Sequence, residues 1–235
     1  MTAVIGGQGI SAGYGTVPVI SDIDIAVNPG EVVALLGPNG AGKTTTLMAL
    51  AGALPVSTGE VSWDGMRTVA PLSRRARMGM SLVTEERSVF MGLTVRQNLR
   101  IAHCDIGKVV ANYPELADHL DRKAGLLSGG QQQILALARA LERKPRALLA
   151  DELSLGLAPQ VVTRLLETVR KAADEGVAVL LVEQHVHKAL HIADRVCVLR
   201  HGRIDWTGTA SQAKARRAEI EESYLSGRTT ADLSQ

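Results

Sequence analysis

Cysteine is scarce in this chain: only Cys104 and Cys197 carry thiols among 235 residues, far apart and without a CxxC pattern. Such spacing fits free thiols in a reducing compartment rather than a disulfide framework. Long hydrophobic runs are also missing. The longest, such as VAVLLV at 177–182, fall far short of the roughly 20 apolar residues of a membrane-spanning helix. The opening MTAVIGGQGI has no basic segment leading into an apolar stretch, so no secretory signal is expected. An excess of charge of either sign is absent too. With a net charge of +2 there is no strong electrostatic case for nucleic acid or acidic lipid. There is no internal repeat, no low-complexity linker, and a single phenylalanine, Phe90. The expectation is a soluble, cytoplasmic chain that reaches a membrane only by docking on other subunits.

What is present is ordinary globular material, 46% hydrophobic and 21% charged, in a length that suits one domain or one domain with a small inserted lobe. Short β-branched runs alternate with helical patterns. IDIAV (23–27), EVVALL (31–36), a part of ARMGMSLV (76–83), RALLAD (146–151), VAVLLVE (177–183) and RVCVLR (195–200) read as strands. TTTLMALAGAL (44–54), QQQILALARALER (131–143) and PQVVTRLLETVRKAADEG (159–176) read as helices. The strands at 31–36, 146–151 and 177–183 are nearly continuously apolar, the pattern of a parallel sheet covered by helices on both faces. The fold class is α/β. The stretch from 92 to about 127–130 has helical character and no strand signal, as in a small helical subdomain inserted into the core. The tail SQAKARRAEIEESYLSG (211–227) has the mixed charge of a surface helix, and Arg74, Arg75 and Arg77 read as a solvated helix face.

Three stretches carry chemistry. GPNGAGKT (37–44) fits G-x-x-x-x-G-K-[ST] and lies between a strand and a helix. Gly37, Gly40 and Gly42 give the backbone freedom to wrap N–H groups around a phosphate. The helix N-terminus adds its dipole, Lys43 can neutralise the β- and γ-phosphates, and Thr44 can place a hydroxyl on Mg²⁺. ALLADE (147–152) ends a buried strand in two carboxylates. Asp151 can hold Mg²⁺ directly or through water, and Glu152 can orient or deprotonate an attacking water. LSGGQQQ (127–133) reads in two ways. It is either an ordinary helix start capped by Ser128 or a second anion site made of exposed backbone N–H groups.

Taken together, these stretches resemble the ATP-binding subunits of ABC transporters. GPNGAGKTT (Gly37, Pro38, Asn39, Gly40, Ala41, Gly42, Lys43, Thr44, Thr45), the signature LSGGQ with Ser128, Gly129, Gly130 and Gln131, and the Asp151–Glu152 pair occur in that family's order and spacing. The resemblance implies a P-loop ATPase core of the ABC type, mainly a parallel sheet flanked by helices, with an N-terminal antiparallel β part and a helical subdomain. It implies ATP and Mg²⁺ as ligands and a head-to-tail pairing with a second ATP-binding subunit, in which one LSGGQ closes on the other's ATP. Membrane permease subunits, and indirectly a solute-binding protein, are the implied partners, at the inner face of the plasma membrane.

Further positions follow from the resemblance. Tyr14 matches the aromatic that stacks on adenine, or is an unlinked loop tyrosine. Glu85 stands at the Q-loop where most members carry Gln, and still offers a carboxylate to Mg²⁺ or water. Leu153 replaces the proline usual after the catalytic glutamate. The family's switch histidine falls on Gln184, whose amide can donate to a γ-phosphate; His185 is one residue later and is the alternative. His187 and His191 read as helix decoration, with a metal site built from the three histidines as the other possibility. VTEERSVF, DELSLGLAP, VEQ and EIEESYLSG together resemble the branch that imports branched-chain amino acids, urea or amides. Phe90, Met91 and Leu93 line a groove for a membrane subunit, or fill the lobe's own core. Two other readings are an ABC ATPase of a lipid or drug exporter and a soluble ABC-type ATPase without a membrane partner.

Overall fold

The computed structural model describes residues 2–86 and 88–226, with side chains up to 222. Two sheets meet around a first helix. The larger has six strands: β3 (Val32–Leu36), β6 (Met80–Val83), β7 (Ala147–Asp151), β8 (Ala178–Glu183) and β9 (Arg195–Arg200) run parallel, and β10 (Arg203–Thr209) closes one edge antiparallel to β9, in the order β10-β9-β3-β8-β7-β6. The smaller is antiparallel, order β2-β1-β4-β5, from β1 (Ile5–Tyr14), β2 (Val17–Val27), β4 (Val56–Trp63) and β5 (Met66–Arg67).

Apolar runs in β3, β7 and β8 are buried at every position because both faces are covered. Val33, Leu35, Leu149, Leu180 and Val182 face α1 (Lys43–Ala51) and the antiparallel sheet, packing with Ile10, Ile20, Ile23, Leu47 and Leu50. Val32, Leu148, Val179 and Leu181 face the other way. They pack on α5 (Gly129–Leu141) and α6 (Pro159–Asp174), where Leu135, Leu137, Leu165 and Val169 lie buried. Pro159 begins α6, where its fixed φ suits a helix and its missing N–H costs nothing.

The stretch 92–130 is helical, in short pieces. α3 (Val95–Ile101) is opened by a capping box between Thr94 and Gln97, and α4 (Ile106–Asn112) by the Asp105 side chain. Short 3₁₀ helices follow at Pro114–His119 and Ala124–Leu126 before α5. Buried Asn98 ties this arm to the chain entering it: its amide donates to the Phe90 carbonyl at 3.0 Å, and its oxygen accepts from the Phe90 N–H at 2.9 Å.

Two expectations need correction. Arg75 lies in α2 (Leu72–Arg77) but is only 4% exposed. Its guanidinium donates to the Ala70 carbonyl at 2.7 Å and to the carbonyl of Leu50 in the last turn of α1, so it caps that helix end rather than facing solvent with Arg74 and Arg77. The tail is not one helix but two, α8 (Ala210–Ala215) and α9 (Arg217–Ser226), broken at Arg216. Their buried Ala213 and Ile220 pack with Leu36, Val186 and Leu190. The last residue of the tail pattern, Gly227, lies outside the described residues.

Candidate nucleotide site

The carboxyl ends of β3, β7 and β8 lie side by side, since Leu36 is level with Glu183 and Asp151 with Val182. In an open parallel sheet this edge is where ligands bind. From β3 the chain turns through 37–42 into α1. Gly40 and Gly42 adopt φ of +79° and +105°, the left-handed region that favours glycine. Gly37 is required for another reason than the backbone freedom inferred from sequence: a β-carbon there would stand 2.3 Å from the Leu199 carbonyl oxygen. One at Gly42 would stand 2.6 Å from Ile20, so the antiparallel sheet backs the loop.

Lys43 is 5% exposed and sits within the turn it follows. Its ammonium donates to the carbonyls of Gly37 (3.0 Å) and Pro38 (3.2 Å) and is 3.4 Å from the Glu152 carboxylate. The Thr44 hydroxyl donates to Asp151 Oδ2 at 2.8 Å. Two segments more than 100 residues apart in sequence thus converge on one point. Burial pushes the Asp151 carboxyl above its ordinary range; the Thr44 bond and the Lys43 charge oppose that, while the Glu152 and Glu85 charges add to it. Exposed Glu85, just past β6, is therefore within electrostatic reach of the pair. The other oxygen of Asp151, Oδ1, is buried and has no hydrogen-bond partner among the described residues. An orphaned carboxylate oxygen beside a threonine hydroxyl is a hard, oxygen-only donor pair that fits Mg²⁺. Among the described residues no three His, Cys, Asp or Glu side chains are grouped to hold a metal. An ion held here would take its remaining ligands from water and phosphate, which is the habit of Mg²⁺.

Glu152 itself has φ +46°, an uncommon conformation for a side chain of its size. Its N–H donates to the Val182 carbonyl at 3.0 Å, and the Leu155 N–H closes a turn back onto the Glu152 carbonyl at 3.2 Å. Two residues on from Glu152, Ser154 donates to buried Glu183 from both its N–H (3.2 Å) and its hydroxyl (2.9 Å). Glu183 escaped the reading of the sequence, where it appeared only as the end of a strand. The available signal was an acid closing an otherwise wholly apolar strand.

The remaining candidates lie farther out. Ser128 caps α5 in a full capping box: the Gln131 N–H donates to its hydroxyl at 3.3 Å, and the Ser128 N–H donates to the Gln131 amide oxygen at 2.9 Å. No hydrogen bond among the described residues joins Ser128–Gln131 to the 37–45 turn, and Ser128 is exposed. Tyr14 is 63% exposed at the tip of the hairpin whose Ile20 touches Gly42. Gln184 follows β8, half-buried, at the same sheet edge. His185 is the N-cap residue of α7 (Val186–Ile192) without a side-chain cap bond, and His187 and His191 are exposed on that helix, lining a 260 Å³ surface hollow with Lys214 and Arg217. The three histidines opened as a metal site are not among any ligand cluster in the described residues. Phe90 (48% exposed) and Met91 do not fill the lobe's core: they stand at the surface with Leu126, and the Arg139 guanidinium lies 5.1 Å from the Phe90 ring.

A phosphate-type loop, a strand-end acid pair and a covering of helices on a parallel sheet define a nucleotide-hydrolysing α/β core. The family model described as ABC transporter matches residues 20–154. The branched-chain amino acid transport ATP-binding protein BraG of Pseudomonas aeruginosa is 39% identical over 93% of this chain and 97% of that protein. The lipopolysaccharide export ATP-binding protein LptB of Haemophilus influenzae is 32% identical over 95% and 97%. A solved structure of an ATP-binding subunit of an ABC transporter superposes with a TM-score of 0.80 at 26% identity, covering 98% of both chains. The chain belongs to the ABC transporter family, as one of its ATPase cassettes. No helix among the described residues is long and apolar enough to cross a membrane.

Proposed function

We propose that this chain is the ATP-hydrolysing subunit that energises an ABC importer of branched-chain or chemically related amino acids, with residues 1–235 as one ATPase domain and 92–130 as its helical subdomain. The observation that carries the hydrolytic part is the convergence of Lys43, Thr44, Asp151 and Glu152, with the Thr44–Asp151 bond at 2.8 Å and Lys43 3.4 Å from Glu152. ATP lies with its phosphates against the backbone from Gly37 to Thr45, including Pro38, Asn39, Gly40, Ala41 and Gly42, at the N-terminus of α1. Lys43 exchanges loop carbonyls for phosphate oxygens. Thr44 and Asp151, with Glu85 nearby, hold Mg²⁺, which neutralises phosphate charge. Glu152 orients or deprotonates the attacking water, and Gln184 donates its amide to the γ-phosphate. Tyr14 offers its exposed ring to adenine.

Ser128, Gly129, Gly130 and Gln131 act on the ATP of a second ATP-binding subunit; among the described residues no hydrogen bond joins them to their own phosphate turn. The exposed Phe90, Met91 and Leu126 receive a permease subunit at the inner face of the plasma membrane. The importer reading rests on BraG and on the VTEERSVF and VEQ segments. An exporter reading rests on LptB. Purification from native membranes in mild detergent separates them. The importer reading expects two polytopic membrane proteins, a second ATPase, and stimulation of ATP hydrolysis by a solute-binding protein loaded with a branched-chain amino acid. Recovery with lipid-export components and indifference to amino acids supports the exporter instead. Recovery with no membrane protein overturns both.

A further inference from the structure

Among the described residues, Glu183 is the one buried carboxylate at this sheet edge that the hydrolytic reading leaves without a task. It is 1% exposed, at the end of β8, level with Leu36 in the strand that leads into the phosphate turn. Both of its oxygens are used: Oε1 accepts from the Ser154 N–H at 3.2 Å and Oε2 from the Ser154 hydroxyl at 2.9 Å. That hydroxyl accepts in turn from the Lys188 ammonium at 3.2 Å. Lys188 stands one turn into α7, four residues beyond Gln184. The chain therefore runs from β8 through Ser154 to α7, and brackets Glu152 and Gln184.

We propose that Glu183 is a positioning residue for hydrolysis: its carboxylate pins the 153–158 segment to the end of β8 and so fixes Glu152 relative to Gln184 and the phosphate turn. This deepens the assignment of Glu152 as base and rests on it. Glu152 leaves its strand at φ +46°, and nothing in the side chain itself favours that conformation. The kink is held from β8 at two points, by the Val182 carbonyl on the Glu152 N–H and by the Glu183 carboxylate on the Ser154 N–H. The first is backbone and common to any residue. The second needs a carboxylate of this length, since a shorter one cannot reach both donors and an amide cannot accept from both on two equivalent oxygens. A fold in need only of filling would take an apolar residue here, because a buried charge is retained against a desolvation cost.

The test uses the full chain in steady-state ATP hydrolysis, with ATP affinity measured separately by fluorescent-nucleotide displacement. Glu183→Gln, Glu183→Asp and Ser154→Ala are each expected to lower kcat by about 10- to 100-fold, the range for a misplaced catalytic group. ATP affinity should stay within about two-fold, because no phosphate-binding group is touched. The Glu183→Gln, Ser154→Ala double variant should be no slower than the worse single one, because both break the same link. Normal kcat in Glu183→Gln overturns the proposal, as does a double variant whose losses multiply. If Glu183→Gln does not fold, Ser154→Ala decides alone: an unchanged kcat sinks the idea. Glu152→Gln runs alongside. If it turns over normally, the base assignment itself has failed; if it is inactive while Glu183→Gln is normal, only the positioning role has failed.

Discussion

The two ends of the proposed ATP site are built on opposite principles. At the phosphate turn, four charged or metal-ready side chains from two segments crowd together, and the two at the centre are out of water. Lys43 and Asp151 are 5% and 2% exposed, and Glu152 holds a strained backbone. At the start of α5, Ser128 to Gln131 carry no charge, Ser128 stands toward solvent, and the Ser128 hydroxyl and Gln131 amide oxygen cap their own helix. The first arrangement is costly to fold and chemically committed; the second is cheap and offers only N–H groups and a hydroxyl. A site that must open and close gains from this division, since the half that detaches leaves no unpaired charge behind.

Substitutions can sharpen that contrast. The largest effect is expected at Glu152: Glu152→Gln should cut kcat by about 10² to 10⁴-fold, the range for a lost general base, while retaining ATP in a closed dimer visible by size-exclusion chromatography. Normal turnover in that variant would falsify its role. Lys43→Ala should weaken ATP binding by about 10- to 100-fold, as expected for one charge-assisted contact to phosphate; equal affinity in a displacement titration would leave the phosphate turn without its main cation. Ser128→Ala should leave the chain's own ATP affinity intact, yet lower stability by about 1 kcal/mol through the lost cap and slow hydrolysis only where two subunits pair. Hydrolysis by dilute single chains that fell equally would break the division just drawn.

Asp151→Asn is the subtlest. Burial raises the Asp151 carboxyl in the folded state, so the stability it lends is present below the ordinary carboxylate range and is lost as pH rises through the raised value. Near neutrality its charge opposes folding. The asparagine variant should therefore be more stable at neutral pH, by about 1 kcal/mol, with its advantage shrinking in acid. Melting curves across pH check this, and an advantage that grows in acid would reverse the sign of the argument.

Much of this architecture was legible because its signals are physical necessities. Strands buried on both faces must be apolar throughout, so β3, β7 and β8 announce themselves. The glycine-rich turn must free the backbone, and the acid pair must follow a strand. Other elements hide for equally physical reasons. β1 was missed because Gly6, Gly7, Gly9 and Gly13 dilute its alternation and its pairing with β2 slips at several places. β10 is a polar edge strand. Arg75 looks like its neighbours in sequence, and only the carbonyls at the end of α1 select it for burial. The role of Glu183 was hidden because its partner, Ser154, is 29 residues away and meets it only once β7 and β8 lie side by side.

α5 joins the two exposed regions as a single rod. Ser128 caps its start, and Arg139, eleven residues on, reaches over the Phe90 ring and donates to the Ser88 carbonyl at 2.6 Å. At 1.5 Å per residue the lever between them is about 16 Å long. A rotation of about 10° around the Arg139 end sweeps Ser128 through about 3 Å, the length of one hydrogen bond. Displacement at the Arg139 end is thus magnified at the capped start, the end proposed to meet the phosphate of a second subunit.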